Sequence, residues 1–223
     1  MRRAVVFDLD GTLVETAPDL HRVLAAVLAE RGLPAPTLAE LRHMVGDGAR
    51  ALIERGFAAA GTALDGDELD RLYARFIDLY VEKPCRDSYA FEGVEEVLTA
   101  LAADGHSLGV CTNKPQRPSE LLLEKLGLAR HFASVVGGDA LAVRKPHPDH
   151  LRAVLETLGA QADRAVMVGD SRNDLATARA LGVPCILVSF GYTTVPAHEL
   201  GAEVVVDRFA DVATAVTRLA RTA

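Results

Sequence analysis

Short runs of consecutive apolar, largely β-branched residues recur along the chain, at 3–7, 107–111, 134–136, 165–168, 185–188 and 204–206. They are continuously apolar rather than alternating, the pattern of strands covered by helices on both faces of a parallel sheet. Between most of them lie stretches whose apolar residues recur every three to four positions, at 94–104, 118–126, 149–158 and 173–181. Gly105, Gly127, Gly159 and Gly182 follow these stretches, and glycine is the residue that best tolerates the left-handed position past a helix end. Strand–helix alternation of this kind predicts a doubly wound α/β domain.

One region departs from the alternation. From about Pro18 to Glu82 the pattern holds helices and no strand. Leu20, Val23, Leu24, Val27 and Leu28 form one helical stripe, and Leu69, Leu72, Tyr73, Phe76, Leu79 and Tyr80 form another. Thr37-Leu38-Ala39-Glu40 has capping-box form after Pro34 and Pro36, and Lys83-Pro84 closes the segment. The expected organisation is therefore an α/β core of residues 1–16 and 84–223, with a small helical domain of residues 17–83 inserted after the first strand.

Size and composition fit this picture and remove some functions. At roughly 150 residues per domain, 223 residues suit one domain carrying a smaller one. Hydrophobic residues make up 49% and charged residues 25%, an ordinary globular balance. The formal charge of −7, the absence of Trp and an aromatic share of 5% argue against nucleic-acid binding. No apolar run approaches the ~20 residues that span a bilayer, and the run after Met1-Arg2-Arg3 stops at Asp8, too short for a signal peptide. Three scattered cysteines read as reduced thiols of a cytoplasmic protein, with no zinc spacing. The sequence is silent on oligomeric state.

Ligands of doubly wound sheets bind beyond the carboxyl ends of the strands. There the sequence puts Asp8-Leu9-Asp10-Gly11-Thr12 after the first strand and Thr112-Asn113-Lys114 after the second. Arg144-Lys145-Pro146-His147-Pro148 lies between the third and fourth, and Gly169-Asp170-Ser171-Arg172-Asn173-Asp174 follows the fourth. Carboxylates gathered on one rim repel strongly in a partly dry cleft. A hard divalent cation resolves that conflict, and oxygen ligands alone point to Mg²⁺. Lys145 and the Thr112 hydroxyl suit a tetrahedral oxyanion such as phosphate, against which a carboxylate can act as nucleophile.

Singly, each residue has a plain structural use. Asp8 and Asp10 fit a turn, Thr112 a cap, Lys145 a solvated surface, and Asp170 and Asp174 the start of a helix. Their coincidence on one rim is what points to chemistry. His147 and His150 lack a third ligand and read as structural; Cys111 and Cys185 read as core.

Val5-Val6-Phe7-Asp8-Leu9-Asp10-Gly11-Thr12, Thr112, Lys145 and Gly169-Asp170-Ser171-Arg172-Asn173-Asp174, in this order and with a helical insert, resemble the haloacid dehalogenase superfamily of phosphotransferases. The resemblance covers essentially the whole chain. It implies that Asp8 attacks phosphorus to form an aspartyl-phosphate and that Asp10 is the general acid and base. It implies that Thr112, Asn113 and Lys145 hold the phosphoryl group. Mg²⁺ would be bound by Asp8, the Asp10 carbonyl and Asp170, with Asp174 a further ligand or the residue orienting Lys145 or a metal-bound water.

Thr16-Ala17-Pro18-Asp19-Leu20, Cys111-Thr112-Asn113-Lys114-Pro115, Val136-Gly137-Gly138-Asp139 and Lys145-Pro146-His147-Pro148 are similar to the branch acting on 2-phosphoglycolate. The partner this implies is a small phosphate monoester. Gly46-Asp47-Gly48-Ala49-Arg50 would begin a cap helix over the site, with Arg50 meeting a second anionic group of the substrate; an exposed Arg50 beside a plain helix–helix turn is the alternative. Another sugar-phosphate phosphatase, a phosphomutase and a receiver-like phospho-acceptor domain are the competing functions.

Overall fold

The computed structural model describes residues 2–219; residue 1 and residues 220–223, the ends of the expected core, lie outside the described residues. Six parallel strands form the sheet: β1 (Ala4–Phe7), β4 (Ser107–Cys111), β5 (Ser134–Val136), β6 (Ala165–Gly169), β7 (Cys185–Val188) and β8 (Val204–Val206), in the order β5-β4-β1-β6-β7-β8. β1 sits between β4 and β6, with Phe7 opposite both Val110 and Val168. Chain order runs outward from β1 to one side and then, from β6, to the other. The crevice between the carboxyl ends of β1 and β6 is thus a topological switch point.

Residues of β1 alternate between two apolar layers, which is why its sequence is apolar throughout. Val5 and Phe7 pack with Val97 and Leu98 of α5 (Val94–Ala103), Leu122 of α6 (Gln116–Lys125), and Val212 and Val216 of α10 (Val212–Leu219). Ala4 and Val6 pack with Leu151 and Val154 of α7 (Pro148–Thr157), Leu175 of α8 (Arg172–Ala180), and Ala197 of the short α9 (Ala197–Leu200). Cys111 and Cys185 are buried in this second layer, as their strands predict.

A third apolar cluster belongs to α1 (Ala17–Ala29), α2 (Leu38–Arg42), α3 (Ala49–Ala59) and α4 (Gly66–Glu82). The two predicted stripes form its centre, and Thr37 and Glu40 make the reciprocal bonds of the expected capping box. The pattern did not predict a two-residue antiparallel ribbon, β2 (Val14–Glu15) with β3 (Tyr89–Ala90), where the chain leaves for the helices and returns. Two residues are too few to show a period of two.

Candidate active site

Asp8 continues the β1 ladder, its N–H donating to Val168 O at 2.9 Å. The chain then reverses tightly: the Leu9 carbonyl accepts from the N–H groups of Leu13 and Val14. Gly11 has φ +84°, and a Cβ there would lie 2.6 Å from Asp170 Oδ2. Glycine is therefore what lets the loop after β1 press against the loop after β6.

Lys145 joins the two loops. Its Nζ lies 2.8 Å from Asp8 Oδ1 and 2.7 Å from Asp174 Oδ1, with all three side chains buried. The other Asp174 oxygen accepts from Ser171 Oγ (2.7 Å), Ser171 N (3.0 Å) and Asp170 N (3.2 Å). Both Asp174 oxygens thus have protein donors, one of them Lys145, as the orienting role requires. Asp170 accepts from Tyr192 N at 2.6 Å.

Burial pushes the Asp8 carboxyl up to about 7; Lys145 opposes this, and Asp174 and Asp10 add to it. Burial, then repulsion from Asp174 and Asp8, pushes Asp170 well above the usual carboxylate range. Burial alone would lower Lys145, but Asp174 and Asp8 outweigh it and keep the ammonium charged. Oxygens of Asp8, Asp170 and Asp174 lie within 4.8 Å of one another. One lysine facing three buried carboxyls leaves a deficit of positive charge, and the donors are all hard oxygens. The cluster therefore fits a divalent cation of the Mg²⁺ type.

Thr112 is buried beside Asp8 in the same cavity, its Oγ accepting from Lys114 N at 3.2 Å. Asn113 also lines the cavity, but its amide donates to Gly46 O (2.9 Å) and Lys145 O (3.0 Å). Its side-chain donors are thus committed to the protein. Lys145 is fixed from behind by His150, whose Nδ1 accepts from Lys145 N at 3.1 Å and whose Nε2 donates to Gly137 O at 3.1 Å. Burial and the nearby Lys145 charge lower this imidazole to about 4, so the ring is neutral, with its proton on Nε2. This is the structural role read for His150.

The helices roof the cavity. Leu20, Val45, Leu52, Phe76 and Ile77 face Asp8, Asp10 and Thr112 across it, and Gly48, which caps α3, lines it too. Gly48 has φ +88°, and a Cβ there would meet Asn113 O at 2.9 Å. Arg50 does not line this cavity. It pairs with Asp70, its guanidinium lies 5.5 Å from the Tyr73 ring centroid, and it faces a neighbouring cleft with Asp139 and Arg144. At the second position of α3 its side chain points away from the roof, as in the exposed alternative, and it is Gly48 at the helix start that lines the cavity.

Two residues were missed. Lys114 is buried with Nζ 3.2 Å from Asp10 Oδ1. Tyr192 donates from its hydroxyl to Glu15 Oε1 (2.6 Å) and accepts from the N–H groups of Thr16 (2.8 Å) and Ala17 (3.0 Å). Lys114 adjoins Thr112 and Asn113 and was within reach of the motif; Tyr192 carries no sequence signal.

The family model described as haloacid dehalogenase-like hydrolase matches residues 5–188. A protein of Caulobacter vibrioides named phosphoglycolate phosphatase is 48% identical over 208 residues, 93% of this chain and 88% of its own. One of Rhodospirillum rubrum with the same name is 49% identical over 214 residues, 94% of this chain and 89% of its own. A crystal structure of a predicted phosphoglycolate phosphatase from Haemophilus somnus superposes with a TM-score of 0.89 at 30% identity, covering 96% of this chain and 97% of that one.

Proposed function

Because the chain belongs to the haloacid dehalogenase-like hydrolase family, we propose that it is a Mg²⁺-dependent phosphatase converting 2-phosphoglycolate to glycolate and inorganic phosphate through a phosphorylated Asp8. The observation that carries this reading is the buried Asp8–Lys145–Asp174–Asp170 cluster at the switch crevice, with Asp10 beside it.

Asp8 attacks phosphorus in line and takes the phosphoryl group. Asp10, two residues on and lining the same cavity, protonates the departing alkoxide and then takes a proton from the water that hydrolyses the acyl phosphate. Such proton transfers typically contribute about 10²–10⁴ in rate. The Thr112 hydroxyl and the Lys145 ammonium hold phosphoryl oxygens, and Asp174 fixes Lys145 for that task. Asp8, Asp170 and the Asp10 carbonyl would hold Mg²⁺, which supplies charge stabilisation to the transferring group when bound. Residues 17–83 act as a cap whose apolar roof excludes bulk water.

The roof also bears on the substrate. Leu20, Val45, Leu52, Phe76 and Ile77 make the roof largely apolar, with the Tyr80 hydroxyl its polar exception, which offers little to the several hydroxyls of a sugar ring and favours a two-carbon ester. The names of the relatives supply the substrate itself. A side-by-side kcat/KM screen of small phosphate monoesters, read by phosphate release, tests the assignment. 2-Phosphoglycolate is expected to lead and EDTA to abolish turnover; a flat profile, or isomerisation without phosphate release, contradicts it.

A further inference from the structure

A two-carbon phosphorylated acid presents a second anion one carbon from the leaving oxygen, and the cavity must receive it. Lys145 is already engaged by Asp8 and Asp174. Lys114 is the other lysine lining or flanking this cavity, buried at 4% exposure. One of its three N–H donors goes to Asp10 Oδ1 at 3.2 Å, and its Nζ stands 4.4 Å from the Tyr80 ring centroid.

Tyr80 lines the same cavity at 1% exposure; its hydroxyl oxygen adjoins the Lys114 ammonium, and its proton has no acceptor among the described residues. A buried hydroxyl proton without an acceptor costs stability unless a ligand satisfies it. The placement is chemically specific as well. Asp10 is the proposed donor to the leaving oxygen, and Lys114 touches Asp10. In a bound ester the ammonium would therefore lie beside the carbon that follows the leaving oxygen.

We propose that Lys114, with the Tyr80 hydroxyl, receives the carboxylate of the substrate and so selects phosphorylated hydroxy acids over uncharged phosphate esters. The inference rests on the phosphoglycolate-hydrolysing reading and assigns the group that recognises the acid. A charge-assisted hydrogen bond in a dry site discriminates strongly against a ligand lacking the charge. Phosphate binding and chemistry at Asp8 are shared by both substrate kinds, so the signature is a ratio rather than an overall loss.

The test compares kcat/KM for 2-phosphoglycolate and ethyl phosphate in the wild type, Lys114→Met and Tyr80→Phe. Lys114→Met is expected to lower the phosphoglycolate-to-ethyl-phosphate ratio about 10- to 100-fold, mostly through KM, and Tyr80→Phe about 3- to 10-fold. Loss of the Asp10 partner lowers kcat/KM for both substrates alike and cancels in the ratio. A wild-type preference that both variants retain overturns the carboxylate receptor and leaves the substrate assignment standing. A wild type with no preference overturns the substrate assignment, and the receptor with it. Tyr80→Phe, which removes one oxygen atom, keeps the comparison decisive if Lys114→Met does not fold.

Discussion

Asp8 and Asp170 bind protons far more tightly than ordinary carboxyls because each is buried among other acids. The consequence for stability has a definite sign. Both folded pKa values lie above the unfolded reference of 3.8, so the folded state holds more protons and loses stability as pH rises above about 4, for Asp8 up to about 7. A divalent cation must displace those protons, so its stabilisation grows over the same range. Thermal melts with and without saturating Mg²⁺ are expected to show a larger rise in Tm at about pH 8 than at about pH 5; an equal rise would mean that the cation binds elsewhere. Asp8→Asn keeps the shape of the nucleophile and removes its reactivity, and should lower aryl phosphate turnover by at least about 10³-fold. At this scale the sequence was most legible, since Asp8, Asp10, Thr112, Lys145, Asp170 and Asp174 each end or follow a strand. For Arg50 the sequence left two readings open, because a helix start fixes its backbone but not the direction of a long side chain, which here pairs with Asp70.

Elements transmit order to these residues. The Lys145 loop is held by His150 at the start of α7, which bonds Lys145 N and Gly137 O at once. His150→Ala leaves the Lys145 N–H buried without a partner, takes one of two donors from Gly137 O, which keeps Ala140 N, and should cost about 2–4 kcal/mol in urea unfolding, with a fall in kcat as Lys145 loosens. The lowered imidazole sets a second sign. With a folded pKa of about 4 against an unfolded value of 6.5, its contribution is complete above 6.5 and is lost as pH falls toward 4. The stability gap between wild type and His150→Gln should therefore be wider at about pH 7 than at about pH 4, and a gap that narrows with rising pH would refute the neutral ring. The strands were legible as continuous apolar runs buried on both faces, and their helices as periodic apolar faces. The β2–β3 ribbon was not, because its stability comes from its neighbours rather than from its own pattern.

Across the whole molecule, the two passages between sheet and helices are clamped by side chains distant in sequence. Tyr192 holds Glu15, Thr16 and Ala17 while its own N–H donates to Asp170, so one residue ties the first passage to the proposed metal site. Asp19 holds the second: its Oδ2 accepts from the N–H groups of Arg86, Asp87 and Ser88 and from Ser88 Oγ. Burial raises this carboxyl, but the bonds from Ser88, Asp87 and Arg22 prevail and hold it below its usual value. Tyr192→Phe leaves the Thr16 N–H without its acceptor, takes one of two from Ala17 N, and should cost about 1–3 kcal/mol. Amide exchange should quicken around residues 14–18, and unchanged exchange there would dismiss the clamp. Contacts spanning such separations leave no local periodicity, which is why neither Tyr192 nor the role of Asp19 could be read from the chain.

The covalent step at Asp8 is tested most directly by acid-quenching a turnover of 2-phosphoglycolate with Mg²⁺, reducing the trapped acyl phosphate with borohydride, and sequencing the peptides by mass spectrometry. Homoserine at position 8, absent without substrate and absent from Asp8→Asn, is the predicted result. Steady phosphate release with an unaltered Asp8, or modification at another carboxyl, would contradict the account.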